Sequence, residues 1–251
     1  MRQINRDILN KKYFIFDIDG TLLDSMPMWT QVDRAVLSEL GLDVPAEEIK
    51  NFRDSIIYSS QHIAGDIYMA YYEALINLFD LDMTVEKFRD KRRSMAKFIS
   101  VNELDYKDGA DMLLKKLKDA GKKIGVVTTT TKRQYEIYEN ESINILKKAP
   151  LKKYIDKKVV CEDVERKKPD PEAYLKILDL LECDAKDCIV FEDSLNGVIA
   201  AKDAGLEVVA IYDESAKNEQ EVIAKIADYQ IDSFVDFIKQ LGLDKEQSQP
   251  Q

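Results

Sequence analysis

The chain has little of what disulfide, zinc or histidine chemistry requires. Its 251 residues include three cysteines and a single histidine, His62. Cys161, Cys183 and Cys188 are odd in number and fit no zinc-ligand spacing. Cys161 and Cys188 fall inside apolar runs and read as buried free thiols, which suits a reducing compartment. No apolar run approaches the roughly 20 residues of a membrane span. Residues 1–12 are polar and charged, without the apolar centre of a signal peptide. An excess of positive charge is missing too. The net charge is −10, which argues against a general nucleic-acid or anionic-membrane binder. Lysines cluster only locally, at Lys147, Lys148, Lys152, Lys153, Lys157 and Lys158, and read as a solvated surface. Neither GxxxxGK[ST] nor GxGxxG occurs, so a nucleotide cradle is not indicated. These absences leave a cytoplasmic protein with no nucleic-acid and no membrane partner.

What is present is enough apolar material for a core, at 45% of residues, and a length that suits one large or two small domains. Short runs rich in Val and Ile predict strands at 13–16, 123–128, 159–161, 188–191, 207–212 and, weakly, 229–231. They are nearly continuous rather than alternating, as in strands buried on both faces of a parallel sheet. Helical patterns lie between them. Ala110, Leu113, Leu114, Leu117 and Ala120 share one face, with Gly121 placed to end that helix. Asp170 and Pro171 read as the start of another, with Tyr174, Ile177, Leu178 and Leu181 inward. Residues 198–204 form a third, closed by Gly205. The alternation predicts an α/β fold with a doubly wound parallel sheet.

From about 25 to 105 there is no convincing strand. Ile63, Ile67, Ala70, Tyr71, Ala74, Leu75 and Leu78 form one amphipathic stripe. Val85, Phe88, Met95 and Ile99 form a looser one. This predicts an all-helical domain at 26–104 inserted into a core formed by 1–25 and 105–243, with turns near Gly41, Pro45 and 80–84. The polar tail, 244–251, reads as disordered.

Ligands of open α/β sheets bind at the carboxyl ends of the strands. There the first strand delivers Asp17 and Asp19, and the second delivers Thr128 and its neighbours. The third is followed by Lys167 and Lys168, and the fourth ends at Glu192 and Asp193, with Ser194, Asn196 and Gly197 beyond. Buried carboxylates without partners would cost several kcal/mol, so a cation should meet them. Carboxylates from two strands suit Mg²⁺, and a lysine with hydroxyls suits phosphate oxygens.

In that order these segments resemble the motifs of the haloacid dehalogenase superfamily. Asp17-Ile18-Asp19-Gly20-Thr21 resembles its DxDGT signature, Thr128 its second motif and Lys168, directly before Pro169, its third. Glu192-Asp193-Ser194-Leu195-Asn196-Gly197 resembles the acidic fourth motif, in the manner of the phosphatase and β-phosphoglucomutase-like branch. The resemblance implies a Rossmann-like core with a helical cap. It implies a Mg²⁺-dependent phosphatase acting on a small phosphorylated metabolite through an aspartyl-phosphate. Asp17 would be the nucleophile and Asp19 the general acid and base, with Thr128 and Lys168 holding the phosphate. Asp17, the Asp19 carbonyl, Asp193 and Glu192 would surround the metal. Thr129, Asn196 and, in the cap, Arg53 are candidate substrate contacts, with Ser55 and Tyr58 beside Arg53. Asn196 could equally cap its helix, and His62 reads as surface or packing. The resemblance further suggests a monomer. A β-phosphoglucomutase-like phosphomutase is the alternative, and a non-catalytic phosphate- and metal-binding relative a further one. In the mutase a histidine stands twelve residues after the nucleophile. Trp29 occupies that position here and offers no acid or base, which favours hydrolysis.

Overall fold

Strand β1 (Tyr13–Phe16) is apolar because it lies mid-sheet with neighbours on both sides. Six parallel strands follow the order β3-β2-β1-β4-β5-β6, where β2 is Lys123–Val127, β3 Lys157–Val159, β4 Cys188–Glu192, β5 Glu207–Ile211 and β6 Tyr229–Ile231. The order reverses between β1 and β4, which makes the crevice beyond their carboxyl ends the topological switch point. The computed structural model describes residues 4, 6–60 and 67–244 of the chain. It divides into two compact units, Met1–Ser25 with Glu103–Gln251 and Met26–Asn102.

In the first unit, helices α5 (Ala110–Asp119), α6 (Lys132–Asn140), α7 (Ile143–Lys148), α8 (Leu151–Tyr154), α9 (Glu172–Leu181), α10 (Leu195–Asp203), α11 (Gln220–Ile226) and α12 (Phe234–Gln240) connect and flank the strands. On one face Ile15, Val127, Val190 and Val208 pack with Tyr174 and Ile177 of α9 and Val198 and Ala201 of α10. Elsewhere Phe16 stacks on Phe191 at 4.7 Å, and Phe191 meets the edge of Phe237 of α12 at 5.2 Å. Each such buried ring contributes about 1.5–3 kcal/mol. Gly109 precedes α5 at φ +82°, and a Cβ there would lie 2.7 Å from the Val235 nitrogen, so glycine is required.

The strands lie where the sequence predicts, with one shift. β3 covers 157–159 rather than 159–161, because the Asp163 carboxylate accepts the Val160 N–H and turns residues 161–163 into a 3₁₀ turn. Lysines open β3 because an edge strand leaves one side to solvent. Lys158 also sits 4.0 Å over the Tyr135 ring and pairs with Glu139. α10 begins three residues before the predicted 198, since Ser194 caps it by accepting the Gly197 N–H. Cys188 is buried, but Cys161 is only half-buried at the start of that 3₁₀ turn.

The second unit holds α1 (Met26–Glu39), α2 (Ala46–Ser60), α3 (Ile67–Leu78) and α4 (Val85–Asn102). Val36, Leu37, Ile49, Tyr71, Leu75 and Phe88 form its core. Leu78 is exposed, because the apolar face of α3 ends one turn earlier at Leu75. Ile63 and His62 lie outside the described residues. The two connecting segments lie side by side in the first unit. Asp24 N–H donates to Asp105 O and Lys107 N–H to Leu22 O, around an antiparallel bridge between Leu23 and Tyr106. Among the described residues no helix is long and apolar enough to cross a membrane.

Candidate active site

Register places the acids. Phe16 lies opposite Val126 of β2 and Phe191 of β4, so the next residues in line are Asp17, Val127 and Glu192. The Asp17 N–H still donates to Phe191 O at 3.0 Å, which fixes its backbone to β4. Ligand-capable oxygens of Asp17, Glu192 and Asp193 all lie within 4.8 Å of one another, and all three residues are buried. Water therefore does little to separate their charges. Burial pushes the Asp17 pKa well above the ordinary carboxylate value, and Glu192 and Asp193 push it further. Asp193 is raised to about 8 by burial and by Glu192, despite the Thr21 hydroxyl donating to its Oδ1 at 2.7 Å.

Lys168 answers part of this charge. Its Nζ lies 2.6 Å from Asp17 Oδ1 and 2.5 Å from Glu192 Oε1, and it donates to Val127 O at 3.0 Å. Burial opposes its charge, yet the Asp17 and Glu192 carboxylates prevail and hold its pKa above that of an ordinary lysine. Lys167, the neighbouring register, is exposed. Glu192 is held from three sides, since Tyr174 Oη donates to Oε1 at 2.6 Å and Ser194 Oγ to Oε2 at 3.2 Å. Gly197 makes room for it, because a Cβ there would meet the carboxylate at 2.1 Å.

Asp19 stands beside this cluster, half-buried. Tyr138 Oη donates to its Oδ1 at 3.0 Å, and the Thr130 hydroxyl donates to its Oδ2. Thr128 is buried at the end of β2, where its hydroxyl oxygen accepts the Thr130 N–H at 3.0 Å.

Asp17, Asp19, Thr128, Lys168, Glu192 and Asp193 thus gather at the switch point. Thr129 and Asn196 are exposed, and Ser194 rather than Asn196 caps α10. Arg53 lies in the helical unit, where its NH1 is 3.3 Å from the buried Asp33 and its NH2 donates to Thr30 at 3.0 Å. Asp33 also pairs with Arg92 at 2.5 Å and accepts the Tyr71 hydroxyl at 2.9 Å. Ser55 donates to Phe52 O, and the Tyr58 side chain lies outside what is described. The sequence places Tyr174 on an inward helix face and Thr21 within the first motif, but singles out neither these nor Thr130 or Tyr138 as a partner of the acids. For Tyr174 a signal existed, since a tyrosine on an inward helix face needs a partner for its hydroxyl.

Three buried carboxylates facing one lysine leave negative charge that a hard divalent cation with oxygen preference would offset, so these residues fit Mg²⁺. The sequence profile of the haloacid dehalogenase-like hydrolases matches residues 14–211. The chain belongs to that family. The phosphorylated carbohydrates phosphatase of Thermotoga maritima is 29% identical over 193 residues, 77% of this chain and 81% of that one. Hexitol phosphatase B of Escherichia coli is 25% identical over 224 residues, 88% of this chain and 92% of that one. A solved structure from T. maritima, provisionally described as a β-phosphoglucomutase, is 24% identical. It superposes with a TM-score of 0.75 over 93% of this chain and 100% of that one, a likeness of fold. The protein is an enzyme of this hydrolase family.

Proposed function

We propose that the protein is a Mg²⁺-dependent phosphatase that hydrolyses a small phosphorylated metabolite through a phosphorylated Asp17. The observation that carries the reading is the buried Asp17–Lys168–Glu192 cluster beside Asp193, at the switch point of the sheet. The names of the relatives, which specify phosphorylated carbohydrates and hexitol phosphates, support a sugar or polyol phosphate as substrate.

A phosphate dianion and a carboxylate repel by roughly 4 kcal/mol per pair of unit charges at 4 Å and an effective dielectric near 20. Lys168 lies against Asp17 and reduces that repulsion. The Thr128 hydroxyl oxygen accepts the Thr130 N–H, and its proton would be donated to a phosphoryl oxygen. Asp17, the Asp19 carbonyl and Asp193 would hold Mg²⁺, with Glu192 adjacent. The bound ion would supply charge stabilisation for the transferring phosphoryl group.

In the first half-reaction an Asp17 carboxylate oxygen bonds to phosphorus as the bond to the leaving oxygen breaks, and Asp19 gives that oxygen a proton. In the second, Asp19 removes a proton from water as the water oxygen bonds to phosphorus. The Asp17 carboxylate leaves, and inorganic phosphate is released. The helical unit is our candidate for a cap, whose part would be to exclude other water. Thr129, Asn196 and Arg53 remain the proposed substrate contacts, with Arg53 acting from its place between Asp33 and Thr30. We take the enzyme to be a cytoplasmic monomer, consistent with three free thiols.

Hydrolysis is preferred to mutase chemistry because Trp29 packs under the Arg92 guanidinium, 5.0 Å from its ring centre, and carries no titratable group. The test is phosphate release from p-nitrophenyl phosphate and a panel of sugar and polyol phosphates with Mg²⁺. Wild type should turn over members of the panel, and Asp17→Asn should not. Wild type and Asp17→Asn that are equally inert, or equally active, on every compound would defeat the reading.

A further inference from the structure

The segment after β2 supplies more than Thr128. Thr131 caps α6 by accepting the Gln134 N–H, so the helix starts directly beyond Thr130. Near the far end of that helix stands Tyr138, with none of its surface exposed. Its hydroxyl donates to Asp19 Oδ1 at 3.0 Å, while Thr130 donates to Oδ2. One turn earlier on α6, the Gln134 side chain hydrogen-bonds the same phenol oxygen. Burial, with Asp19 next in effect, raises the Tyr138 pKa well above that of free tyrosine, so the phenol keeps its proton and remains a donor.

The last torsion of an aspartate is soft and nearly twofold, so a single hydrogen bond does not fix the plane of the carboxylate. Two donors on opposite oxygens do. One donor comes from the loop and the other from a buried helix position, and neither is a charged group that would neutralise Asp19. We propose that Tyr138 is a positioning residue that, together with Thr130, fixes the plane of the Asp19 carboxylate and so aims it at the leaving oxygen. The inference rests on the reading of Asp19 as general acid and base. Orientation of a proton donor matters where the leaving oxygen is a poor one and needs that proton. A misplacement of this kind costs about 10²-fold. An alkoxide needs the proton, whereas p-nitrophenolate leaves without it.

The experiment compares kcat/KM for glycerol 1-phosphate and p-nitrophenyl phosphate with Mg²⁺ in wild type, Tyr138→Phe, Thr130→Val and Asp19→Asn. This parameter covers the steps through expulsion of the leaving group, so hydrolysis of the phosphorylated enzyme does not enter it. Tyr138→Phe should lower kcat/KM for the alkyl ester by about 10- to 100-fold and for the aryl ester by no more than about threefold, with its urea midpoint kept. Thr130→Val should show the same selectivity and keeps the question decidable if Tyr138→Phe folds poorly. Asp19→Asn should show it more strongly. Equal losses on both esters in Tyr138→Phe and Thr130→Val, or no loss on either, overturn the positioning role while a selective Asp19→Asn leaves the acid role standing. An Asp19→Asn variant without selectivity overturns both.

Discussion

Lys168 and Asp17 form a buried ion pair at 2.6 Å, although 151 residues separate them in the chain. The lysine reaches Asp17 from the loop before α9 and touches Glu192 at the same time. Removing its charge leaves two buried acids with no cation between them. Lys168→Met should therefore lower kcat/KM by about 10²–10³-fold, measured as phosphate release. Lys168→Arg should not restore it, because a planar fork does not replace a compact ammonium held by three acceptors. Activity within threefold of wild type in Lys168→Met would show that the pair is incidental.

Gly197 is predicted to be a stability position as much as a motif position. An added methyl would overlap the Glu192 carboxylate, which Lys168, Tyr174 and Ser194 hold in place. Gly197→Ala should destabilise the protein by about 1–3 kcal/mol in urea unfolding. An unchanged midpoint would mean that Glu192 moves aside freely.

The link between Lys107 and Asp213 should make stability depend on pH. Lys107 Nζ lies 2.8 Å from Asp213 and also donates to Tyr212 O, tying the second connecting segment to the end of β5. Burial raises the Asp213 pKa, but hydrogen bonds from Lys107 and Ser215 outweigh it and leave the value below an ordinary aspartate. With a depressed folded pKa, the unfolded chain takes up the proton first as pH falls. The stabilisation is whole above about pH 4 and is lost as pH falls through the lower, folded value. Asp213→Asn should cost about 2 kcal/mol at pH 7, and the gap to wild type should narrow steadily below about pH 4. The same gap at pH 7 and at the acid end would contradict this account.

Much of the fold was legible because buried parallel strands are apolar without interruption, and these six are short and well separated by helical patterns. β3 was displaced because its residues carry lysines, which only an edge strand tolerates, and because the Asp163 turn beyond it is set by one side chain. The acids and Lys168 could be found because each stands directly after a strand or in a motif. The hydrogen bonds of Tyr138 and Tyr174 could not. Their partners Asp19 and Glu192 lie 119 and 18 residues away, and the helix pattern around Tyr174 reports only that it faces inward and needs some partner. Arg53 illustrates the opposite problem. A charged residue on a helix looks available from sequence, and only the folded unit reveals Asp33 opposite it.

Magnesium should stabilise the folded protein through Asp193. A ligand that binds only the native state at a hundred times its Kd adds about 2.7 kcal/mol. Thermal unfolding should shift upward with Mg²⁺ in wild type, and the shift should be absent in Asp193→Asn. An equal shift in both would place the ion elsewhere.

The central claim is covalent phosphorylation of Asp17. The direct measurement is a single turnover with Mg²⁺ and phosphorylated substrate, quenched in acid before completion and analysed by mass spectrometry of the proteolysed enzyme. The account predicts a phosphoryl group on the peptide that contains Asp17, formed and lost at rates consistent with kcat, and absent in Asp17→Asn. Turnover with no phosphorylated peptide at any time, together with activity retained in Asp17→Asn, would contradict it.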